Sequence, residues 1–235
     1  MAAAFLPMTE DSPPSPISIY GITKWQQEQL ANSVAETYGM AVTTLRFFDV
    51  YGPGQSLGNP YTGVLRTFFR RATARQSIEV YEDGKMLRDF VFVADVVEAL
   101  TRSLNNEKAF GAMLNVGLGQ AITLHDIARQ MFRSLKIEPQ LGGSGRYRVG
   151  DIRHAVADVR RLQQTLDFVP QTSFVEGLQA YVDWALKQNS FASDEKAEKE
   201  LARVVNDRLD TLPPEEQKKA RVKYAEILLW SEKPE

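Results

Sequence analysis

Tyr20 and Lys24 are the residues whose types and spacing most directly suggest acid–base chemistry. They form a Tyr-x-x-x-Lys pair in "SIYGITKWQQEQL", residues 18 to 30. On a helix, this spacing places both side chains on one face. An ammonium group beside a phenol stabilises the phenolate, and the positive end of a helix acts in the same direction. Such a tyrosine could exchange a proton with a sugar hydroxyl or carbonyl. The simpler alternative is that both side chains only cover a helix surface.

Two arginines are candidates for holding a phosphate group. Arg88 begins "RDFVFV" and Arg148 begins "RVGD". A guanidinium forms paired hydrogen bonds with phosphate oxygens in a geometry that lysine cannot match. Arginines at a strand start or beside a glycine-rich loop are also often only solvated, so the residues alone leave both interpretations open. The two histidines, His125 and His154, are too few for a histidine metal centre, and we expect structural roles for both.

The composition argues against several classes of protein. The 235 residues include 43% hydrophobic and 25% charged residues, with a net charge of −2 and no cysteine. This charge gives no overall attraction to nucleic acid or to an anionic membrane, and no apolar run is long enough to cross a bilayer. The lack of cysteine rules out disulfides and fits a reducing compartment. We therefore expect a cytoplasmic protein without a nucleic-acid or membrane partner.

The elements that would position these residues alternate between helix and strand. Helical patterns cover residues 19–38, 64–75, 94–104, 123–135, 157–166 and 173–186, and strand patterns cover 41–48, 77–81, 88–93 and 112–117. Gly39 is in the position of a helix C-cap. Residues 41–48 have little polarity, which predicts a buried parallel strand. The alternation predicts an α/β fold with parallel pairing.

Five segments stand in an order that resembles one known family. They are "PISIYGITKWQQEQL", "LRFFDVYGPGQ", "YEDGKMLRDFVFVADVVEAL", "LNVGLGQ" and "RYRVGDIRHAVAD". Together they resemble the extended short-chain dehydrogenases/reductases that act as NAD-dependent nucleotide-sugar epimerases and dehydratases. Within these, the chain is most similar to the dTDP-L-rhamnose 4-epimerase type. The resemblance covers residues 7 to 188 and implies a Rossmann-type doubly wound sheet with a small α/β substrate domain.

The resemblance implies a catalytic role for the Tyr-x-x-x-Lys pair. Tyr20 would be the acid/base, and Lys24 would bind the nicotinamide ribose of NAD and stabilise the phenolate of Tyr20. The implied reaction is transient oxidation at carbon four of a dTDP- or UDP-sugar, rotation of the keto-sugar and hydride return to its other face. Whether the chemistry is that of an epimerase or a dehydratase stays open at this point.

The resemblance also implies a set of substrate-binding residues. Arg88 and Arg148 match arginines that hold the diphosphate, while Asn59 and Tyr81 would line the base and ribose end. Tyr81 could equally be an ordinary strand aromatic. Asp49 stands where the family usually has asparagine, and a carboxylate near a phosphate adds repulsion that an amide would not. The substrate-binding candidates are Asp49, Asn59, Tyr81, Arg88 and Arg148.

Other parts of the family pattern are not found before Tyr20. These are the glycine-rich dinucleotide loop, the acidic residue for the adenosine ribose, and the serine or threonine that assists the tyrosine. "NVGLGQ" lacks the third glycine of a dinucleotide loop, and we interpret it as a structural turn. We expect a C-terminal part of the family fold: a Rossmann remnant in residues 1–60, a substrate-binding region in 61–189 and a helical hairpin in 190–235.

Two functions from different classes follow from these observations. The first is a nucleotide-sugar epimerase that works with an N-terminal half or as a homo-oligomer and is inactive as the isolated chain. The second is a non-catalytic remnant that binds sugar nucleotides or other proteins. Tyr20, Lys24, Arg88 and Arg148 favour the enzyme. Asp49, the unusual tail and the absent dinucleotide loop favour the remnant.

Overall fold

A computed structural model describes residues 6–57, 63–143 and 152–188 of the chain. The chain divides into two compact units. The first comprises Met1–Gln55 and Val64–Ala185, and it holds the strands and the core described below. The second comprises Ser56–Gly63 and Leu186–Glu235, and most of it lies outside the described residues, as does the predicted hairpin over 190–235. The predicted division at residues 60 and 189 stays a prediction.

Six helices and eight short strands alternate along the described chain. The helices are α1 (Ile19–Tyr38), α2 (Gly63–Thr73), α3 (Val93–Leu104), α4 (Leu124–Leu135), α5 (Arg160–Leu166) and α6 (Phe174–Ala185). The strands are β1 (Thr44–Phe47), β2 (Asp49–Tyr51), β3 (Ile78–Val80), β4 (Leu87–Arg88), β5 (Phe90–Phe92), β6 (Met113–Val116), β7 (Ile122–Thr123) and β8 (Leu141–Gly143). A 3₁₀ turn covers Glu107–Ala109. The predicted α/β class is confirmed.

Parallel pairing dominates the sheet contacts. β1 pairs with β6, β2 with β5 and β3 with β8, all in parallel, and only β4 and β7 pair antiparallel within the described residues. Parallel neighbours require a crossover connection, and the helices between these strands supply it. The expected βα alternation therefore produces the pairing that the sequence pattern indicated.

Helix α1 covers the predicted residues 19–38 and is capped at both ends. The Ser18 hydroxyl accepts a hydrogen bond from the Gly21 amide at 3.1 Å. Gly39 takes a left-handed conformation with φ of 63°, and its amide bonds the Ala35 carbonyl. A residue with a Cβ is strained at this φ, which explains glycine as the stop. Only Ala35 of this 20-residue helix is buried.

One hydrophobic cluster of the core lies around β1, β5, β6, α3 and α5. Its buried members are Val91, Val96, Ala99, Ala109, Leu114, Val116, Leu162 and Leu166, and Leu45 of β1 packs against them. Because successive side chains of a strand point to opposite faces, Arg46 faces away from this core. Arg46 contacts Glu28 of α1, so α1 and α3 lie on opposite faces of β1.

The strand predictions were wrong in three details. The single strand predicted over 88–93 is two strands, β4 and β5, separated by Asp89, and Val93 already belongs to α3. The segment predicted as a buried strand, β1, is only half-buried, with Phe47 exposed. Strands β2, β7 and β8 were not predicted. They have only two or three residues, too few for a hydrophobic alternation, and β8 contains two glycines.

Candidate active site

Helix α1 brings Tyr20 and Lys24 together in its first two turns. The Lys24 ammonium lies 5.5 Å from the centroid of the Tyr20 ring and donates a hydrogen bond to Gln27 Oε1 at 3.2 Å. The Tyr20 side chain is 70% exposed, so its hydroxyl is accessible to a ligand. The helix spacing thus produces the shared face that the Tyr-x-x-x-Lys pattern predicted.

An ion pair holds this helix against the sheet. Both oxygens of Glu28, one turn beyond Lys24, accept hydrogen bonds from Arg46 of β1, at 2.7 and 3.0 Å. Arg46 also donates to the carbonyl of Glu10 at 2.9 Å. The paired geometry defines both distance and orientation. Because so little of α1 is otherwise buried, we infer that this ion pair largely sets where Tyr20 and Lys24 stand.

A second group of predicted residues meets at the start of β2. Asp49 and Arg88 lie on neighbouring segments, with 4.0 Å between Asp49 Oδ2 and Arg88 Nε. The Arg88 side chain is 12% exposed, and its Nη1 donates to the carbonyls of Leu87 and Arg153 at 3.0 and 3.1 Å. These two bonds orient the guanidinium. The structure therefore brings Arg88 and Asp49 together, and their roles at a diphosphate stay predictions.

Asp89 lies beneath this site and was not predicted as a functional residue. It is fully buried, and its carboxylate accepts amide hydrogen bonds from Leu118, Gly119 and Ala157 at 2.8, 3.0 and 2.9 Å. Burial raises the pKa of Asp89, while these amide hydrogen bonds and one from Gln120 oppose that rise. Through these hydrogen bonds, Asp89 connects the end of β4 to the turn at residues 118–119 and to Ala157. The only feature of the sequence that could have pointed to Asp89 is its position after Arg88 in "RDFV".

The carboxylate of Asp89 also explains "NVGLGQ" and its first glycine. A Cβ on Gly117 would lie 2.7 Å from Asp89 Oδ2, closer than real Cβ contacts allow. The amides of Leu118 and Gly119 then close the turn around the carboxylate. The interpretation of this stretch as a structural turn is confirmed.

Both histidines make contacts within the fold, and the structural roles that we expected for them stay predictions. His154 Nδ1 accepts a hydrogen bond from the Leu87 amide at 3.2 Å and holds residues 153–155 beside β4. The His125 amide donates to the Gly84 carbonyl at 3.2 Å. No group of three metal-binding side chains occurs within residues 6–57, 63–143 and 152–188.

The remaining predicted residues are less constrained by the structure. Tyr81 is half-buried after β3, and its carbonyl accepts the Gly84 amide at 3.0 Å. Asn59 and Arg148 lie outside the described residues. Among the helices that are described, none has both the length and the apolar character needed to cross a membrane. The roles assigned to Tyr81, Asn59 and Arg148 stay predictions.

Comparison with known proteins identifies the family. Residues 2–117 match the profile of the NAD dependent epimerase/dehydratase family. The chain is 36% identical over 176 residues to dTDP-L-rhamnose 4-epimerase from Burkholderia thailandensis, covering 74% of this chain and 48% of that protein. The chain belongs to this family of NAD-dependent nucleotide-sugar epimerases and dehydratases.

Solved structures agree with this assignment. The fold matches UDP-glucose 4-epimerase from Thermotoga maritima with UDP-glucose at a TM-score of 0.70 and 30% identity, covering 77% of this chain and 57% of that one. It also matches MoeE5 in complex with UDP-glucuronic acid and NAD, at a TM-score of 0.70 and 36% identity over 77% and 59% of the two chains. The chain therefore spans about half the length of the relatives that it matches.

Proposed function

We propose that this chain is the substrate-binding and acid/base portion of a nucleotide-sugar 4-epimerase. The observation that carries the proposal is the accessible Tyr20 hydroxyl with the Lys24 ammonium beside its ring. Arg88 and Asp49, at the other predicted site, are connected to this pair through β1. Arg46, which holds α1, precedes Asp49 by only three residues.

The residues present fit a nicotinamide cofactor at its ribose end. Lys24 offers an ammonium that can donate to ribose hydroxyls, and it is exposed on the same face as Tyr20. NAD, when bound, supplies the hydride acceptor and donor. We propose that NAD binds to this chain when an N-terminal half is present, which is supported by the NAD in the MoeE5 complex.

In the proposed mechanism, Tyr20 accepts the proton of the sugar hydroxyl and later returns it. Its phenolate takes the proton from the carbon-four hydroxyl as that carbon is oxidised, and returns it after the keto-sugar has rotated. Lys24 contributes a positive charge beside the ring of Tyr20, 5.5 Å from its centroid. This is a transition-state role, so Tyr20 should affect turnover more than binding.

The substrate class is a nucleoside diphosphate sugar whose nucleoside is uridine or thymidine. Relatives in complex with UDP-glucose and UDP-glucuronic acid support uridine, and the Burkholderia relative supports thymidine. Arg88, oriented by two carbonyls, would hold the diphosphate, with Arg148 as its partner. Asn59 and Tyr81 would contact the base and ribose. We also propose that this reaction takes place in the cytoplasm, and a sequence without cysteine is consistent with that compartment.

Exposed apolar surfaces support an N-terminal half as the partner. Among the described residues, β1 pairs on one side only, with β6. On one face of β1, helix α1 exposes Ile19 and Leu30 at 82% and 65%. On the other face, α3 exposes Val97 and Leu104 at 55% and 76%. A doubly wound sheet that continued from β1 would cover both faces.

The test is to supply that half from a relative. The 235-residue chain is co-expressed with the N-terminal half of the Burkholderia dTDP-L-rhamnose 4-epimerase, and 4-epimerisation of dTDP- and UDP-sugars is measured. We expect activity in the complex and none from either part alone. Tyr20→Phe should lose most turnover and keep sugar-nucleotide binding, while Tyr38→Phe, an exposed tyrosine at the other end of α1, should behave as wild type. Equal turnover in the two variants would overturn the catalytic assignment.

A further inference from the structure

The candidate diphosphate site contains its own anion. Asp49 Oδ2 lies 4.0 Å from Arg88 Nε, and the Asp49 side chain is 46% exposed while that of Arg88 is 12% exposed. An incoming phosphate that reaches Arg88 would therefore come close to the carboxylate of Asp49, the more exposed of the two side chains. The phosphate would meet both the attraction of the guanidinium and the repulsion of Asp49.

The backbone holds Asp49 and Arg88 close to each other. The Asp49 amide donates to the Asp89 carbonyl at 2.9 Å, and Asp49 is opposite Phe90 in the parallel ladder of β2 and β5. Arg88 directly precedes Asp89 and is held in turn by the carbonyls of Leu87 and Arg153. These main-chain hydrogen bonds fix the backbone positions from which the two side chains extend.

We propose that Asp49 is a specificity-determining residue that competes with ligand phosphates for Arg88 and disfavours ligands in proportion to their negative charge. This inference rests on the proposed function, because it takes Arg88 as the diphosphate-binding residue. The repulsion from one carboxylate acts on each ligand charge, so a nucleoside diphosphate is disfavoured more than a nucleoside monophosphate. An uncharged nucleoside is unaffected.

The consequence is a site of moderate affinity for the diphosphate of the sugar nucleotide. Unit charges about 4 Å apart in water interact by about 1 kcal/mol, which is a factor of about five in a binding constant. We therefore expect Asp49→Asn to tighten UDP binding about fivefold to tenfold, since UDP carries more than one negative charge. The gain should shrink as salt rises, because exposed charges are screened.

In the experiment, the full chain is combined with the N-terminal half of the Burkholderia relative. UDP, UMP and uridine are then titrated into this complex in a calorimeter. The proteins are the wild type, Asp49→Asn, Arg88→Gln and the double variant. Asp183→Asn, which removes an exposed carboxylate from α6, is the matched charge control and should bind as wild type. Thermal melting of each variant verifies that it is folded.

The inference predicts a gain in affinity with Asp49→Asn that is larger for UDP than for UMP, absent for uridine and lost in the Arg88→Gln background. Equal or weaker UDP binding by Asp49→Asn, or a gain that persists without Arg88, overturns the inference. If all these proteins bind UDP with one affinity, Arg88 is not the diphosphate residue, and that part of the proposed function fails too. If none binds UDP, both the inference and the proposed function are wrong.

Discussion

Asp89 combines full burial with four converging amide donors, and its pKa is raised by that burial. The protonated form is therefore favoured in the folded state relative to the unfolded chain. By linkage, the stability that this residue contributes is fully present below its unfolded pKa of 3.8 and is lost as pH rises through the higher folded pKa. This residue, next to Arg88 in the sequence, thus makes the local fold sensitive to rising pH.

We predict that the free energy of unfolding contains a contribution that falls with rising pH above 4, and that Asp89→Asn removes this contribution. The variant should also be less stable at every pH by about 1–3 kcal/mol, because its NH₂ group cannot accept the amide hydrogen bonds that one oxygen of the carboxylate accepts. Urea titrations at several pH values measure both effects. A wild-type contribution that rises with pH would show that the amide donors outweigh burial.

Helix α1 depends on one ion pair more than on its apolar surface. Arg46 and Glu28 are 26% and 10% exposed at their side chains, and each makes more than one hydrogen bond or charge contact there. Removing Arg46 would leave the carboxylate of Glu28 without the partner that it has in the protein interior. Breaking a pair of this kind costs more than an exposed pair contributes.

We predict that Arg46→Met loosens α1 and lowers the free energy of unfolding by about 1–3 kcal/mol. Amide hydrogen exchange of residues 19–38 should accelerate, while that of α4 stays unchanged. Arg129→Met, which breaks an exposed pair with Asp126, serves as the control and should change neither quantity measurably. If both variants exchange alike in α1, Arg46 does not position this helix.

Considered as a whole, the described chain has apolar surfaces that a folded protein rarely leaves in water. The exposed residues of α1 and α3 lie on opposite faces of β1, whose far edge has no partner among the described residues. Unpaired edges and large apolar patches favour association with other chains. The relatives are about twice as long as the matched segment, which is consistent with a further half that covers these surfaces.

We predict that the isolated chain self-associates and does not bind NAD. Pyrophosphate affinity in this class of fold comes from a glycine-rich turn and a helix N-terminus, which Lys24 and Tyr20 cannot replace. Sedimentation velocity and NAD calorimetry, with and without the N-terminal half of the Burkholderia relative, measure both properties. Saturable micromolar NAD binding by the chain alone would contradict this prediction.

A further prediction concerns the C-terminal hairpin, which lies outside the described residues. The sequence pattern gives two amphipathic helices too short to be stable alone, so their apolar faces require a docking surface. Deleting residues 193–235 should lower solubility or change the oligomeric state. Identical sedimentation and melting of the deletion variant and the full chain would rule out docking.

Local patterns were sufficient for much of this protein. Helix α1 could be predicted with its ends, because Ser18 and Gly39 act through bonds to residues within one turn. The shared face of Tyr20 and Lys24 follows from the helix repeat alone. The α/β class follows from the alternation of periodicities. The family assignment rested on the order of five motifs, which also lies entirely in the sequence.

Only the tertiary structure decided which distant residues meet. The hydrogen-bond partners of Asp89 are about 30 and 70 positions away in the sequence. Glu28 and Arg46 are 18 positions apart, so no local pattern predicts either contact. The split of residues 88–93 into β4 and β5 also depends on pairing with β7 and β2. The proximity of Asp49 to Arg88 has the same origin. Strand pairing is a long-range choice, and it places a carboxylate beside the guanidinium that a phosphate would need.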